Sequence, residues 1–162
     1  MLVRHGAELD KHDSGGATPL MRLAGSSHTN APTRIRRLGA AITDTEASCE
    51  GGGFAQGLTA VGIAVAAGHA NCRAVLVALK DIGASLDALQ GMLRLPSLWL
   101  AVDRKLEAAA LALIDLGAKT VAVVGPGGES LASLAARRLL PDVESRLRSS
   151  DSCDGGGGGA RQ

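Results

Sequence analysis

The amino-acid sequence predicts an all-α fold in which a helix-turn-helix unit recurs about four times, and three observations predict it. Ala (28 residues) and Leu (23) dominate, while Phe and Trp occur once each and Tyr never. Such an interior suits thin, closely packed helices, whereas sandwiches and barrels lean on β-branched and aromatic residues. A Gly-Ala pair recurs as Gly6-Ala7, Gly39-Ala40, Gly83-Ala84 and Gly117-Ala118, at separations of 33, 44 and 34 residues. A helix-start marker follows each pair: Gly16-Ala-Thr18-Pro19-Leu20, Gly57-Leu-Thr59-Ala60-Val61, Pro96-Ser97-Leu98 and Gly128-Glu-Ser130-Leu131-Ala132. Thr18 to Gly39 and Pro96 to Gly117 are both 21 residues, and Thr59 to Gly83 is 24. Two markers that keep a common spacing define a repeating unit.

The elements follow in chain order. Residues 1–8 read as the end of an outer helix closed by Gly6-Ala7. The helices that would precede it are missing, so the chain is expected either to be a fragment or to have its open end covered by a partner, because stacked units bury their faces only against neighbours. A turn is predicted at Gly15-Gly16, then an inner helix started by Thr18 as cap and Pro19 in the first turn, where no N–H is lost. Pro32 opens the next, outer helix. An insertion follows at about 44–57, with Glu46 to Gln56 carrying the extra residues, and a flexible loop is expected there. The second inner helix covers 60–67 and is punctuated by Gly68-His69. The third covers 97–103, and its outer partner covers 106–116, where Leu106, Ala109, Ala110, Leu113 and Leu116 fall on one stripe at helical spacing. Gly117 closes that helix as a C-terminal cap. A turn at Pro126-Gly127-Gly128 leads to the last inner helix, and Pro141 opens the last outer one. The repeat domain is expected over 1–148, with a disordered Gly-rich tail over 149–162.

This unit resembles the ankyrin repeat, a β-turn followed by two antiparallel helices. Asp13, Gly16, Thr18-Pro19-Leu20, Ala24, His28 and Gly39-Ala40 match the family register in the first copy. Ala64, Gly68-His69 and Gly83-Ala84 match it in the second; Leu98, Ala101 and Gly117-Ala118, then Gly128, Ser130, Ala135 and Ala136, match it in the last two. The resemblance implies an ankyrin-type solenoid with short β-turn hairpins over roughly residues 2 to 147. The family's His after Pro-Leu, which hydrogen-bonds across the turn, is replaced by Met21, Gly62, Trp99 and Ser133, so weaker hairpins are expected. The resemblance also places Gly25-Ser26, Ala66-Ala67, Asp103-Arg104 and Arg137-Arg138 towards the concave face. Arg104 and Arg138 would then stack in adjacent units, about 10 Å apart by helix-to-helix spacing, beside a floor of small residues.

Charge narrows the partners. Seventeen basic and sixteen acidic side chains leave a net charge of +1, so no global field recruits nucleic acid or an anionic membrane. One Phe and one Trp cannot build a base-stacking platform. The N-terminus lacks the apolar run of a signal peptide, and the uncharged stretch between Glu50 and Arg73 is too interrupted by Gly, Gln56, Thr59, His69 and Asn71 to span a membrane. Cys49, Cys72 and Cys153 match no zinc or redox spacing and are read as reduced intracellular thiols, in keeping with a cytoplasmic location.

No catalytic pattern stands out. The segment from Val121 to Ser130 has a glycine-rich turn, yet Ser130 stands where a dinucleotide fingerprint needs its last Gly, and the Lys-Ser or Lys-Thr pair of a P-loop is absent. His5, His12, His28 and His69 lack ligand spacing. Ser97 and Ser130 are read as helix caps, and Asp142 and Glu144 face apart on a helix. No cofactor or metal is expected. Trp99 either packs against the adjacent hairpin or serves as a partner hot spot. Asp103, Arg104, Arg137 and Arg138 are either a merely solvated set of charges or, with Trp99, a contact surface for a partner presenting Asp, Glu or phosphate. The expectation is a non-enzymatic protein-binding module, a scaffold or adaptor. The alternatives are a targeting or regulatory fragment of a longer signalling enzyme and a decayed repeat fragment.

Overall fold

A computed structural model describes residues 8–39, 41–52, 55–120 and 128–151. The expectations at Gly6-Ala7, Ala40, residues 53–54, residues 121–127 and residues 152–162 lie outside these residues, whereas Ser149 to Asp151, expected to begin the disordered tail, belong to the last helix. Among the described residues the chain is mostly helical. The elements are α1 (Pro19–Ala24), α2 (Ala31–Gly39), α3 (Ala60–Ala67), α4 (Cys72–Asp81), β1 (Leu89–Gln90), β2 (Leu95–Pro96), α5 (Ser97–Asp103), α6 (Glu107–Asp115), α7 (Leu131–Arg137) and α8 (Pro141–Asp151).

Side-chain oxygens start three of the inner helices. Thr18 Oγ1 accepts from the Met21 N–H at 3.4 Å, Thr59 Oγ1 from the Gly62 N–H at 3.5 Å, and Ser130 Oγ from the Ser133 N–H at 3.2 Å. Each satisfies a backbone donor that has no intrahelical partner. The α5 start differs from expectation. Pro96 takes the cap position and Ser97 is the first helical residue, buried and without a capping bond.

The Gly-Ala pairs have a common physical basis at the ends of α4 and α6. Gly83 and Gly117 take φ of 90° and 86°, a left-handed conformation that costs glycine little. The following amide then turns back into the helix: Ala84 N–H donates to the Leu79 carbonyl and Ala118 N–H to the Leu113 carbonyl, both at 3.0 Å. Both alanines are buried.

The helices pack as four pairs, α1 with α2, α3 with α4, α5 with α6 and α7 with α8. The first members form one row, α1-α3-α5-α7, and the second members another, α2-α4-α6-α8. The core lies between the rows, where Leu76, Leu79, Leu98, Leu113 and Leu134 interleave with Ala64, Ala78, Ala101, Ala110 and Ala135. Small side chains let the helix axes approach closely, and Leu fills the space between. Helix α3 is apolar on every side because α1, α4 and α5 all pack on it;. Helix α8 buries Val143 and Leu147, next to Leu140 just before it, and turns Asp142, Ser145, Arg146 and Arg148 outward. Among the described residues no helix is long and apolar enough to cross a membrane.

Candidate functional site

Three hairpins stand beside the inner row. Hairpin 1 closes with the Asp13 N–H donating to the Ala17 carbonyl at 3.0 Å, and hairpin 2 with the Cys49 N–H donating to the Leu58 carbonyl at 2.8 Å. Hairpin 3 is the β1–β2 ladder, which pairs Leu89 with Pro96 and Gln90 with Leu95. Successive hairpins are joined tip to base: the Glu50 N–H donates to the Gly16 carbonyl and the Gly91 N–H to the Gly57 carbonyl, each at 2.9 Å. The insertion expected at about 44–57 therefore begins ahead of hairpin 2, and Cys49, Glu50 and Gly57 within it are held by backbone bonds.

Carboxylates repeat the linkage at the hairpin bases. Asp10 accepts from the Thr43 hydroxyl at 2.5 Å, Glu46 from the Ser85 N–H at 2.7 Å, and Asp87 from the Lys119 N–H at 2.8 Å. Each bond spans one unit and fixes the next in register.

Two cavities open between the hairpins and the inner row. The first, about 350 Å³, is lined by Gly15, Met21, Arg22, Gly25, Cys49, Ile63, Ala66 and Ala67. Of the small residues expected to form a floor, Gly25, Ala66 and Ala67 line it and Ser26 does not. The second, about 280 Å³, lies between hairpin 3 and α5 and is lined by Met92, Leu93, Leu95, Trp99, Leu100, Asp103 and Arg104, among others. Cavities of this size, apolar and edged by a few charges, suit a peptide side chain or a small ligand.

The predicted site residues divide. Trp99, Asp103 and Arg104 come together on the second cavity. Trp99 is only 5 % exposed, and it lines the cavity between α5 and hairpin 3. Arg138 reaches back from α7 to form an ion pair with Asp103 across adjacent helix pairs. Arg137 bonds Glu129 at 2.9 Å within its own unit. Of the charges expected to act as one patch, Arg138 is therefore tied to Asp103, and Arg137 lines neither cavity. Arg36, on the outer row, bonds Asp81 of α4 at 2.8 Å, so its removal breaks a contact between helix pairs.

Two features are new relative to the sequence reading. Gln90 is buried and takes the space opposite Gly62: its Oε1 accepts from the Thr59 N–H at 2.9 Å, and its Nε2 donates to the Ala88 carbonyl at 2.9 Å and to Ser97 Oγ at 3.1 Å. Ser97 is thus an acceptor for Gln90 and not a helix cap. The amide crosses between units where the turn His is missing, and Met21 Sδ similarly accepts from the Thr18 N–H at 3.4 Å in the first unit. The second feature is the tip of hairpin 3, where Met92 and Leu93 are 82 % and 72 % exposed. The available signal was the run Gly91-Met92-Leu93-Arg94: adjacent apolar residues at a tight turn have no core to enter.

Cys72, His69 and His12 have structural surroundings. Burial pushes the Cys72 thiol up to about 11, which suppresses its thiolate. A His69 ring nitrogen lies 3.1 Å from the Gly25 carbonyl, and one of His12 lies 3.2 Å from that of Ser48. Among the described residues no group of three His, Cys, Asp or Glu side chains could hold a metal ion. The chain matches no family model, and a search of curated proteins finds no relative.

Proposed function

We propose that this chain is an ankyrin-type solenoid acting as a non-enzymatic protein-interaction module, a scaffold or adaptor whose hairpin face receives a partner protein. One observation carries the reading. The two cavities along the inner row are lined by apolar and small side chains with charges at their edges, a composition suited to contact. The stacking of paired helices, the hairpins joined tip to base and the repeated Gly-Ala turns support the ankyrin comparison, which otherwise rests on the residues quoted above. The free, buried Cys49 and Cys72 suit an intracellular, cytoplasmic setting;.

Affinity capture from a lysate tests the reading by comparing variants. Ala67→Arg fills the first cavity, and Arg104→Ala alters the edge of the second. Arg37→Ala, exposed on the outer row, replaces Arg36 as the charge control. Proteins held by the parent chain and by Arg37→Ala should be lost with Ala67→Arg. Arg104→Ala combined with Arg138→Ala should lower the salt sensitivity of capture. Equal retention by all variants contradicts a hairpin-face interaction.

A further inference from the structure

We propose that the tip of hairpin 3 and the cavity beneath it dock an acidic-apolar peptide segment of a partner protein, an apolar side chain flanked by Asp or Glu. The proposal rests on the interaction-module reading and names the partner chemistry for one part of its surface. Met92 and Leu93 project from the turn, and below them Leu95 and Leu100 line the same cavity of about 280 Å³. Side chains this apolar and this exposed, next to a concavity, mark a contact surface. The flanking charge is basic. Arg94 is exposed, follows Leu93 directly, and has no carboxylate within ion-pair distance among the described residues. Arg104 stands at the cavity on the α5 side, while the one acid there, Asp103, is already neutralised by Arg138. The surface therefore complements an apolar anchor with carboxylates beside it.

Other occupants fit less well. A second copy docked about a two-fold axis at this tip would bring like Arg94 and Arg104 side chains together. A flat bilayer could take up Met92 and Leu93 but would leave the cavity unfilled. Nucleic acid would find Trp99 buried and unable to stack;.

Selection of a random displayed peptide library on the intact chain tests this directly. Enriched peptides should pair Leu, Ile, Met or Phe with Asp or Glu. Met92→Ser with Leu93→Ser should weaken their binding about tenfold or more, and Arg94→Glu with Arg104→Glu should reverse the selected charge to Lys and Arg. Far-UV melts check that both variants remain folded. Peptides without acidic bias, failure to enrich any peptide, binding only to anionic vesicles, or self-association abolished by the Ser substitutions would each overturn the proposal. Enriched peptides insensitive to the hairpin variants but displaced by Ala67→Arg would overturn it while leaving the interaction-module reading intact.

Discussion

Position 62 lacks a side chain, and Gln90, supplied from the next unit, fills the space. A Cβ at Gly62 would lie 2.0 Å from Gln90 Oε1, so the glycine is required by its neighbour. Gln90→Ala should leave the buried Thr59 N–H without an acceptor and cost about 1–3 kcal/mol, read as a lower melting temperature. Gly62→Ala should also destabilise, but its penalty should shrink in the Gln90→Ala background, a coupling that a double-mutant cycle measures. Equal penalties in both backgrounds would contradict the arrangement. None of this was legible from local sequence, because Gly62 and Gln90 become complementary only when two units stack. Charged residues follow the same logic. Arg22 beside Asp13 holds that carboxyl well below its ordinary value of 3.8, and Arg73 beside Asp115 lowers the Asp115 carboxyl as well. A carboxyl depressed in the folded state stabilises it above the unfolded value. That contribution is lost as pH falls through 3.8 towards the folded value. The melting temperature should therefore fall on acidification, and Asp13→Asn with Asp115→Asn should flatten the dependence. Both sites reach solvent, so the effect is small and screened by salt.

Among helices, ends were more legible than contacts. The span 60–67 matches α3 because the Thr59 cap and the Gly68 turn are local properties, and 97–103 matches α5 although its expected Ser97 cap bond is not made. Ala112 is buried although it lies off the expected Leu106 to Leu116 stripe. Helix α6 packs on α4, α5 and α8, so more than one face of it is covered. The turn that closes α4 and α6 at glycine also closes α5 and α7, where Lys105 and Leu139 take φ of 59° and 61°. In each case the next amide donates into the helix, Leu106 to the Ala101 carbonyl and Leu140 to the Ala135 carbonyl. An L-residue in this conformation is strained by about 1–2 kcal/mol, and Leu139 is 81 % exposed, so no burial offsets the strain. Leu139→Gly should raise stability by up to about 1 kcal/mol, the gain reduced by the greater freedom of glycine in the unfolded chain. Leu139→Ala keeps the strain and should leave thermal stability nearly unchanged. A lower melting temperature for the glycine variant would contradict this account of the turn.

At the scale of the whole molecule, extensive helix contacts run within pairs or between adjacent pairs, and polar links follow the same path. Arg36 joins α2 to Asp81 of α4. Arg73 of α4 and Arg146 of α8 both meet Asp115 of α6, at 2.7 and 3.2 Å. Pairs this exposed are worth at most about 1 kcal/mol each, so they set register while the Leu and Ala interior provides cohesion. The helical character was visible in the sequence, and Gly68, Gly83 and Gly117 marked helix ends there. Met92 and Leu93 carried a local signal as adjacent apolar residues at a turn, but the cavity beneath them did not, because it forms only where hairpin 3 meets α5. The two rows differ in character: most of the ion pairs between helix pairs bridge the outer row, where a polar cavity of about 520 Å³ lies beside Arg73, Asp115 and Arg146, whereas the two cavities beside the hairpins are lined mainly by apolar and small side chains. Hydrogen–deuterium exchange of the chain with and without a captured partner tests this division most directly. Protection should concentrate at residues 15–25, 55–67 and 90–104, with the outer helices α2, α4 and α6 unchanged. Protection confined to the outer row, with the hairpins unaffected, would contradict a binding role for the hairpin face.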